Sequence, residues 1–299
     1  MLGGAIADGP GWPWVFLVNV PPCAAAIALA PRLLPSDGAR RSGGRLDVAG
    51  AATATGGLAL LVLGLTRLEQ AGAGGATAWG PLATGAALLV AFARIERRAA
   101  DPLLPPGTVG EPRLAAALLA SVAVTTASTG PLFLCVLYLQ GRAGLTAGET
   151  GLLFAPVNLS VIAGSTAGAR LLEARGARVA ATTGLAALAA GAAVLLALPG
   201  APAALALAAF VPMGAGVGCA AVASTAAGTA AAGEDRQGLV SGLLNTAAQL
   251  GNPLGLALFV LIAAAVPAGP AAGFRVACAA GALVAAAGAL AFQRLHRPG

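Results

Sequence analysis

Residues 203–227 read AALALAAFVPMGAGVGCAAVASTAA, an unbroken run of uncharged residues. Wound as an α-helix it would extend about 37 Å, enough to cross the roughly 30 Å hydrocarbon core of a bilayer. Outward from it, comparable apolar runs recur near 12–34, 46–66, 77–95, 114–140, 150–172, 178–199, 238–266 and 273–293. Composition agrees, with 58% hydrophobic residues, 9% charged and a mean hydropathy of +0.86. A soluble domain carries about a quarter charged residues, and a water-facing surface cannot be built from so few. The expected fold class is all-α: a polytopic membrane helix bundle of about nine transmembrane helices, with the lipid bilayer as its solvent.

All 17 basic residues are Arg, and Ala and Gly fill the apolar runs, a coding bias that points to a bacterial cell membrane. The net charge of +6 does not indicate nucleic acid, since the arginines sit in short loops between spans and not on one aromatic-bearing face. Alternate loops differ sharply in charge. One set holds Arg32, Arg40, Arg41 and Arg45, then Arg94, Arg97, Arg98 and Arg113, then Arg170, Arg175 and Arg178, then Arg236, then Arg294 and Arg297. The other holds Arg67, Arg142 and Arg275. Fourteen against three places the first set, and the C-terminus, in the cytoplasm. Adding or losing one span would scramble the alternation.

The four cysteines, Cys23, Cys135, Cys219 and Cys278, lie in different spans with no Cys-x-x-Cys pair. They read as small buried apolar residues, with no metal site and no cofactor implied. The single histidine, His296, stands between Arg294 and Arg297 and is given no role. The eleven acidic residues fall in loops or at span ends, so no nucleophile with its base and no pair of carboxylates points to an enzyme.

Polar residues inside the spans are uncharged. Ser241, Asn245, Gln249 and Asn252 recur at spacings of four, four and three, which puts them on one helix face. Two readings stand side by side: hydrogen-bonded packing glue between helices, or the lining of a water-accessible path. Small residues four apart, Gly164 and Gly168, Gly214 and Gly218, Gly238 and Gly242, and Gly251 and Gly255, are suited to close helix approach. Pro156, Pro212 and Pro253 inside spans favour kinks. The short loop 169–178 carries Arg170, Glu173, Arg175 and Arg178, read either as topology signal alone or as a latch pairing with helix ends.

Several segments have a family look. Leu2-Gly3-Gly4, Trp12 to Trp14, Phe16 and Asn19-Val20-Pro21 resemble the passage from the fifth to the sixth helix of the fourteen-helix drug/proton antiporters of the major facilitator superfamily, the EmrB/QacA type. Glu96-Arg97-Arg98 with Pro102-Leu103-Leu104-Pro105 is similar to the segment between the family's eighth and ninth helices, and Tyr138-Leu139-Gln140 to the end of the ninth. Ala147-Gly148, Gly151-Leu152 and Ala155-Pro156 resemble the opening of the tenth. Ser241 to Thr246 with Gln249-Leu250-Gly251 resembles the thirteenth-helix signature, departing from it at Ala248, where Arg is common, and at Asn252-Pro253.

The resemblance implies that the nine spans are the family's sixth to fourteenth helices and that the first five have no counterpart. Residues 1–45 would be a remnant of an N-terminal bundle, 46–111 two linking helices and 112–299 a C-terminal six-helix bundle. It further implies multidrug efflux by proton antiport when complete. Substrates would be small hydrophobic or cationic compounds, and Tyr138 and Gln140 would join the stripe as cavity candidates. A truncated or wrongly started product without transport of its own, a separately encoded N-terminal bundle as partner, and a membrane scaffolding role are the competing expectations. The charge asymmetry makes one direct prediction. Reporter fusions at Arg41, Arg98 and Arg175 will report the cytoplasm and those at Gly74, Arg142 and Pro267 the outside; an external signal at Arg98 or Arg175 overturns the map.

Overall fold

In the computed structural model, residues 6, 9, 11, 13–33, 48–71, 76–97, 110–232 and 236–296 are described. Leu2 to Gly4, Trp12, Arg40, Arg41, Arg45, Arg98, Pro102 to Pro105 and Arg297 lie outside them. Ten helices carry the described chain: α1 (Pro13–Leu17), α2 (Val20–Leu33), α3 (Val48–Ala71), α4 (Ala76–Glu96), α5 (Pro112–Gly141), α6 (Ala147–Leu153), α7 (Ala155–Val194), α8 (Leu205–Ala232), α9 (Gln237–Ala265) and α10 (Pro270–Leu295). Among the described residues there is no strand, as a bilayer demands of a chain that must satisfy its backbone internally. Among the described residues eight stretches are long and apolar enough to cross a membrane, one of them the 51-residue Ala147–Ala197.

That long stretch holds two expected spans. A straight helix over the 40 residues of α7 would reach about 60 Å, twice the bilayer core. It is broken at Gly176, whose φ of +79° and ψ of 168° are non-helical and easy only for glycine. Segment 169–178 is therefore not an irregular loop, as the sequence suggested. Helix runs up to Gly176 and resumes after it. Pro156 likewise does not kink a span from within; it sits in the first turn of α7, just after the turn at Phe154 that separates α6.

The chain divides into two compact units. One comprises Met1–Leu46 with Leu137–Ala155, the other Asp47–Val136 with Pro156–Gly299. In the first, Thr146 opens α6 with a reciprocal cap: its hydroxyl accepts from the Glu149 N–H at 3.2 Å, and the Glu149 carboxylate accepts from the Thr146 N–H at 2.8 Å.

Helix directions in the second unit follow from which residues touch. Gly164 lies against the backbone of Ala215 and Gly168 against Cys219, so the first arm of α7 runs parallel to α8. Gly184 lies against Ala220 and Gly191 against Met213, so the second arm runs antiparallel to it. Gly251 meets Val122 and Gly255 meets Thr126, making α5 and α9 parallel, while Pro131 meets Gly281 and Ala123 meets Gly288, making α5 and α10 antiparallel. Gly57 against Leu89 and Gly64 against Leu82 make α3 and α4 an antiparallel hairpin. From α5 to α10, with each arm of α7 counted as a span, every pair runs as strict alternation requires.

At the end of this unit where α5 begins, buried residues of several helices meet. Leu114, Ala180, Ala181, Ala227, Val240 and Phe292, from the near ends of five helices, belong to a single buried cluster. The same ends carry Arg113, Arg175, Arg178, Arg236 and Arg294. Arg275 lies at the opposite end, where its guanidinium donates to the carbonyls of Leu196 at 3.1 Å and Pro199 at 2.9 Å. Those carbonyls follow the end of α7 and lack helical partners.

Three of the four small-residue pairs sit at helix contacts, whereas Gly238 and Gly242 face open space. Gly164→Leu will therefore destabilise the chain by about 1–3 kcal/mol or more, through overpacking against Ala215, and Gly242→Ala will change stability by less than about 0.5 kcal/mol. Thermal unfolding in detergent measures both, and equal effects at the two positions would contradict the packing.

Candidate functional site

The second unit holds a polar hollow of about 290 Å³ between α5, α8 and α9. Ser121 and Thr125 line it from α5, Ser224 and Thr225 from α8, and Ser241 and Asn245 from α9. No charged residue contributes to its wall. Each hydroxyl with a resolved bond spends its proton on its own helix. Ser121 donates to the Ala117 carbonyl at 3.0 Å, Thr125 to Ser121 at 3.0 Å and Ser224 to Ala220 at 2.7 Å. This back-bonding satisfies the donors inside the membrane and leaves oxygen lone pairs for an incoming group.

The stripe on α9 splits into two behaviours. Ser241, Asn245 and Gln249 are exposed. Asn252, half-buried, accepts from the Thr129 hydroxyl at 2.9 Å and donates to the Gln249 side-chain oxygen at 3.4 Å. Asn252 is thus interhelical glue, and Thr126 adds a second tie by donating to the Gly251 carbonyl at 3.1 Å. Ser241 and Asn245 line the hollow. The four hydroxyl residues from α5 and α8 were not singled out in the sequence, where each is a small polar residue in an apolar run. Ser121 and Thr125, four apart, carried the only usable signal.

Tyr138 and Gln140 fall in the last turn of α5, within the other compact unit, and do not line this hollow. The Tyr138 carbonyl accepts from the N–H groups of Arg142 at 2.9 Å and Ala143 at 3.3 Å. Arg170, Glu173, Arg175 and Arg178 are all exposed around the Gly176 break. His296 stacks on Phe292 with ring centroids 5.0 Å apart, and burial followed by the Arg113 charge pushes its pKa below the usual histidine value. Among the described residues no three His, Cys, Asp or Glu side chains gather as a metal site. A second hollow, about 530 Å³ between α3, α5, α9 and α10, is walled by aliphatic side chains such as Leu65, Leu119, Leu258 and Val284, with Thr126 its one hydroxyl.

A bundle of alternating apolar helices with an uncharged polar hollow at membrane depth suits a carrier of small molecules. The profile of the Major Facilitator Superfamily matches residues 1–256. The chain belongs to this superfamily. It is 35% identical over 272 residues to the puromycin resistance protein pur8 of Streptomyces alboniger, covering 86% of this chain and 52% of that protein. It is 31% identical over 264 residues to the uncharacterized transporter YebQ of Escherichia coli, covering 87% and 57%. The cephamycin export protein CmcT of Amycolatopsis lactamdurans is 38% identical over 158 residues, covering 52% of this chain and 32% of that protein. The chain spans about half the length of the first two relatives.

Packing glue and the lining of a water-accessible path are told apart residue by residue along the stripe. With the native cysteines replaced, Asn245→Cys and Gln249→Cys will react with a water-soluble thiol reagent, whereas Ala247→Cys, at a buried position, will not. Equal labelling at 245 and 247 would assign the stripe to packing.

Proposed function

We propose that this chain forms the C-terminal bundle and linking helices of a fourteen-helix exporter of the EmrB/QacA type. Residues 112–299 are the six-helix bundle, 46–111 the two linkers, and 1–45 belong with the N-terminal bundle. The observation that carries this reading is the hollow of Ser121, Thr125, Ser224, Thr225, Ser241 and Asn245, open and uncharged within an apolar bundle. Substrates are small hydrophobic or cationic compounds that enter between two bundles and leave by alternating access around a site near the midplane. Resistance and export in the names of the relatives support that class. In this reading, protons are the coupling ion, and the carboxylate that carries them sits in the N-terminal bundle, since the acidic residues here lie in loops and span ends. The C-terminus faces the cytoplasm, and the break at Gly176, with Arg170, Glu173, Arg175 and Arg178 around it, lies where a latch at that face would act.

Binding tests the site apart from turnover. The purified chain in liposomes will bind a fluorescent lipophilic cation, and the paired change Ser241→Ala and Asn245→Ala, both at the hollow, will weaken that binding on the order of tenfold, as expected for two lost neutral hydrogen bonds. Unchanged affinity in the double variant would remove the hollow from the substrate path.

A further inference from the structure

At the Arg-rich end of the second unit lies a hollow unconnected with the α5–α8–α9 site. Its volume is about 370 Å³, and the described residues that line it are Arg178, Leu290, Gln293 and Arg294, none of them a carboxylate. The two arginines come from helix ends far apart in the chain. Arg178 stands in the first turn of the second α7 arm, and Arg294 in the last turn of α10. The second α7 arm brings the positive end of its dipole and α10 the negative end of its own, so the positive charge at the hollow is that of the two exposed guanidiniums. The nearby carboxylate of Glu111 is engaged elsewhere, accepting the Leu114 N–H at 2.8 Å as the cap of α5. One turn inward from Arg294, Leu290 is 55% exposed and gives the hollow an apolar floor.

A topology signal needs only charge on one side of the membrane. It does not need two arginines from separate helices to converge on one concavity above an exposed leucine. Helix ends of a membrane-spanning bundle lie at the level of lipid headgroups, and basic pockets between helices suit phosphate there. We infer that this hollow holds the phosphate headgroup of an anionic membrane lipid. Arg178 and Arg294 donate to the phosphate oxygens, the Gln293 amide donates to the headgroup, and an acyl chain lies along Leu290. The guanidinium fork matches phosphate geometry in a way an ammonium would not.

The test uses the full chain in nanodiscs of phosphatidylcholine with graded phosphatidylglycerol, reading retained lipid by native mass spectrometry and the thermal unfolding midpoint. The wild type will retain phosphatidylglycerol and unfold at a higher temperature as its fraction rises. The paired change Arg178→Gln and Arg294→Gln will lower retention on the order of tenfold, and Arg294→Gln alone will lower it by part of that should the double variant fold poorly. Arg236→Gln, on the same face but outside the hollow, will stay within about twofold of wild type. A loss at Arg236 equal to that of the double variant would replace the site with a diffuse surface field. Millimolar inorganic phosphate that displaces the lipid and reproduces its stabilisation would make the ligand a free phosphate and overturn the lipid assignment.

Discussion

Helices α7 and α8 meet backbone against backbone, and the rest of the second unit is arranged around that contact. In a bilayer, apolar side chains gain nothing by leaving lipid for each other, so association relies on close van der Waals packing and hydrogen bonds. The run Met213-Gly214-Ala215-Gly216-Val217-Gly218 in α8 supplies the packing on two faces at once. At about 100° per residue, Gly214 and Gly218 share one face and Gly216 points nearly opposite. Gly214 and Gly218 take the first arm of α7 at Val157 and Val161, and Gly216 takes the second arm at Gly184 and Leu188. A helix smooth on both sides is gripped by both arms of a hairpin, and the hairpin exists because Gly176 accepts a backbone conformation that would strain any residue with a Cβ.

The polar groups follow from the same constraint. A serine or threonine inside the membrane without a partner is costly, and most here avoid the cost by bonding the carbonyl one turn back, as Ser224 does to Ala220 and Ser121 to Ala117. Their hydroxyls can therefore line a hollow without demanding a neighbour. Asn245 and Gln249 are exposed on α9, and the Gln249 side-chain oxygen accepts from the Asn252 amide. Asn252, one turn further along, shows the other outcome: its amide is spent on Thr129 and Gln249, fixing α9 to α5.

Much of the fold was legible before any coordinates. Each expected span falls on helix, the first on α1 and α2 together and the fifth on α6 with the first arm of α7, because span length is fixed by bilayer thickness and little else. The alternation of arginine loops also has its counterpart in the helix directions read from contacts. What failed to show was local. The segment from Arg170 to Arg178 looked like a loop because charge and glycine interrupt an apolar run, yet charged residues at a membrane surface extend helices readily, and only Gly176 breaks this one. Gly238 and Gly242 matched the spacing of close-approach pairs as well as Gly164 and Gly168 did. Spacing alone does not say whether a facing helix is present. The same limit hid Ser121, Thr125, Ser224 and Thr225, whose significance comes from three helices converging, a relation that no single run of sequence displays.

Depth gives the hollow its meaning. Ser241 and Asn245 lie four and eight residues into α9, placing Asn245 about 12 Å from the Arg-rich end of that helix. Ser224 stands a matching eight residues from the end of α8, so helices of opposite direction bring their polar residues to one level. That coincidence is not required for packing, since the tight contacts of α5 with α9 are made by Gly251, Gly255 and Thr126, deeper in the bundle. Thr125 takes part in both, lying against Gly251 while it lines the hollow, whereas Ser224, Ser241 and Asn245 line the hollow without entering those contacts. In the exporter proposed above, an uncharged, acceptor-bearing surface at that level would desolvate a lipophilic ammonium in part without trapping it, because none of the described residues at the hollow is a carboxylate.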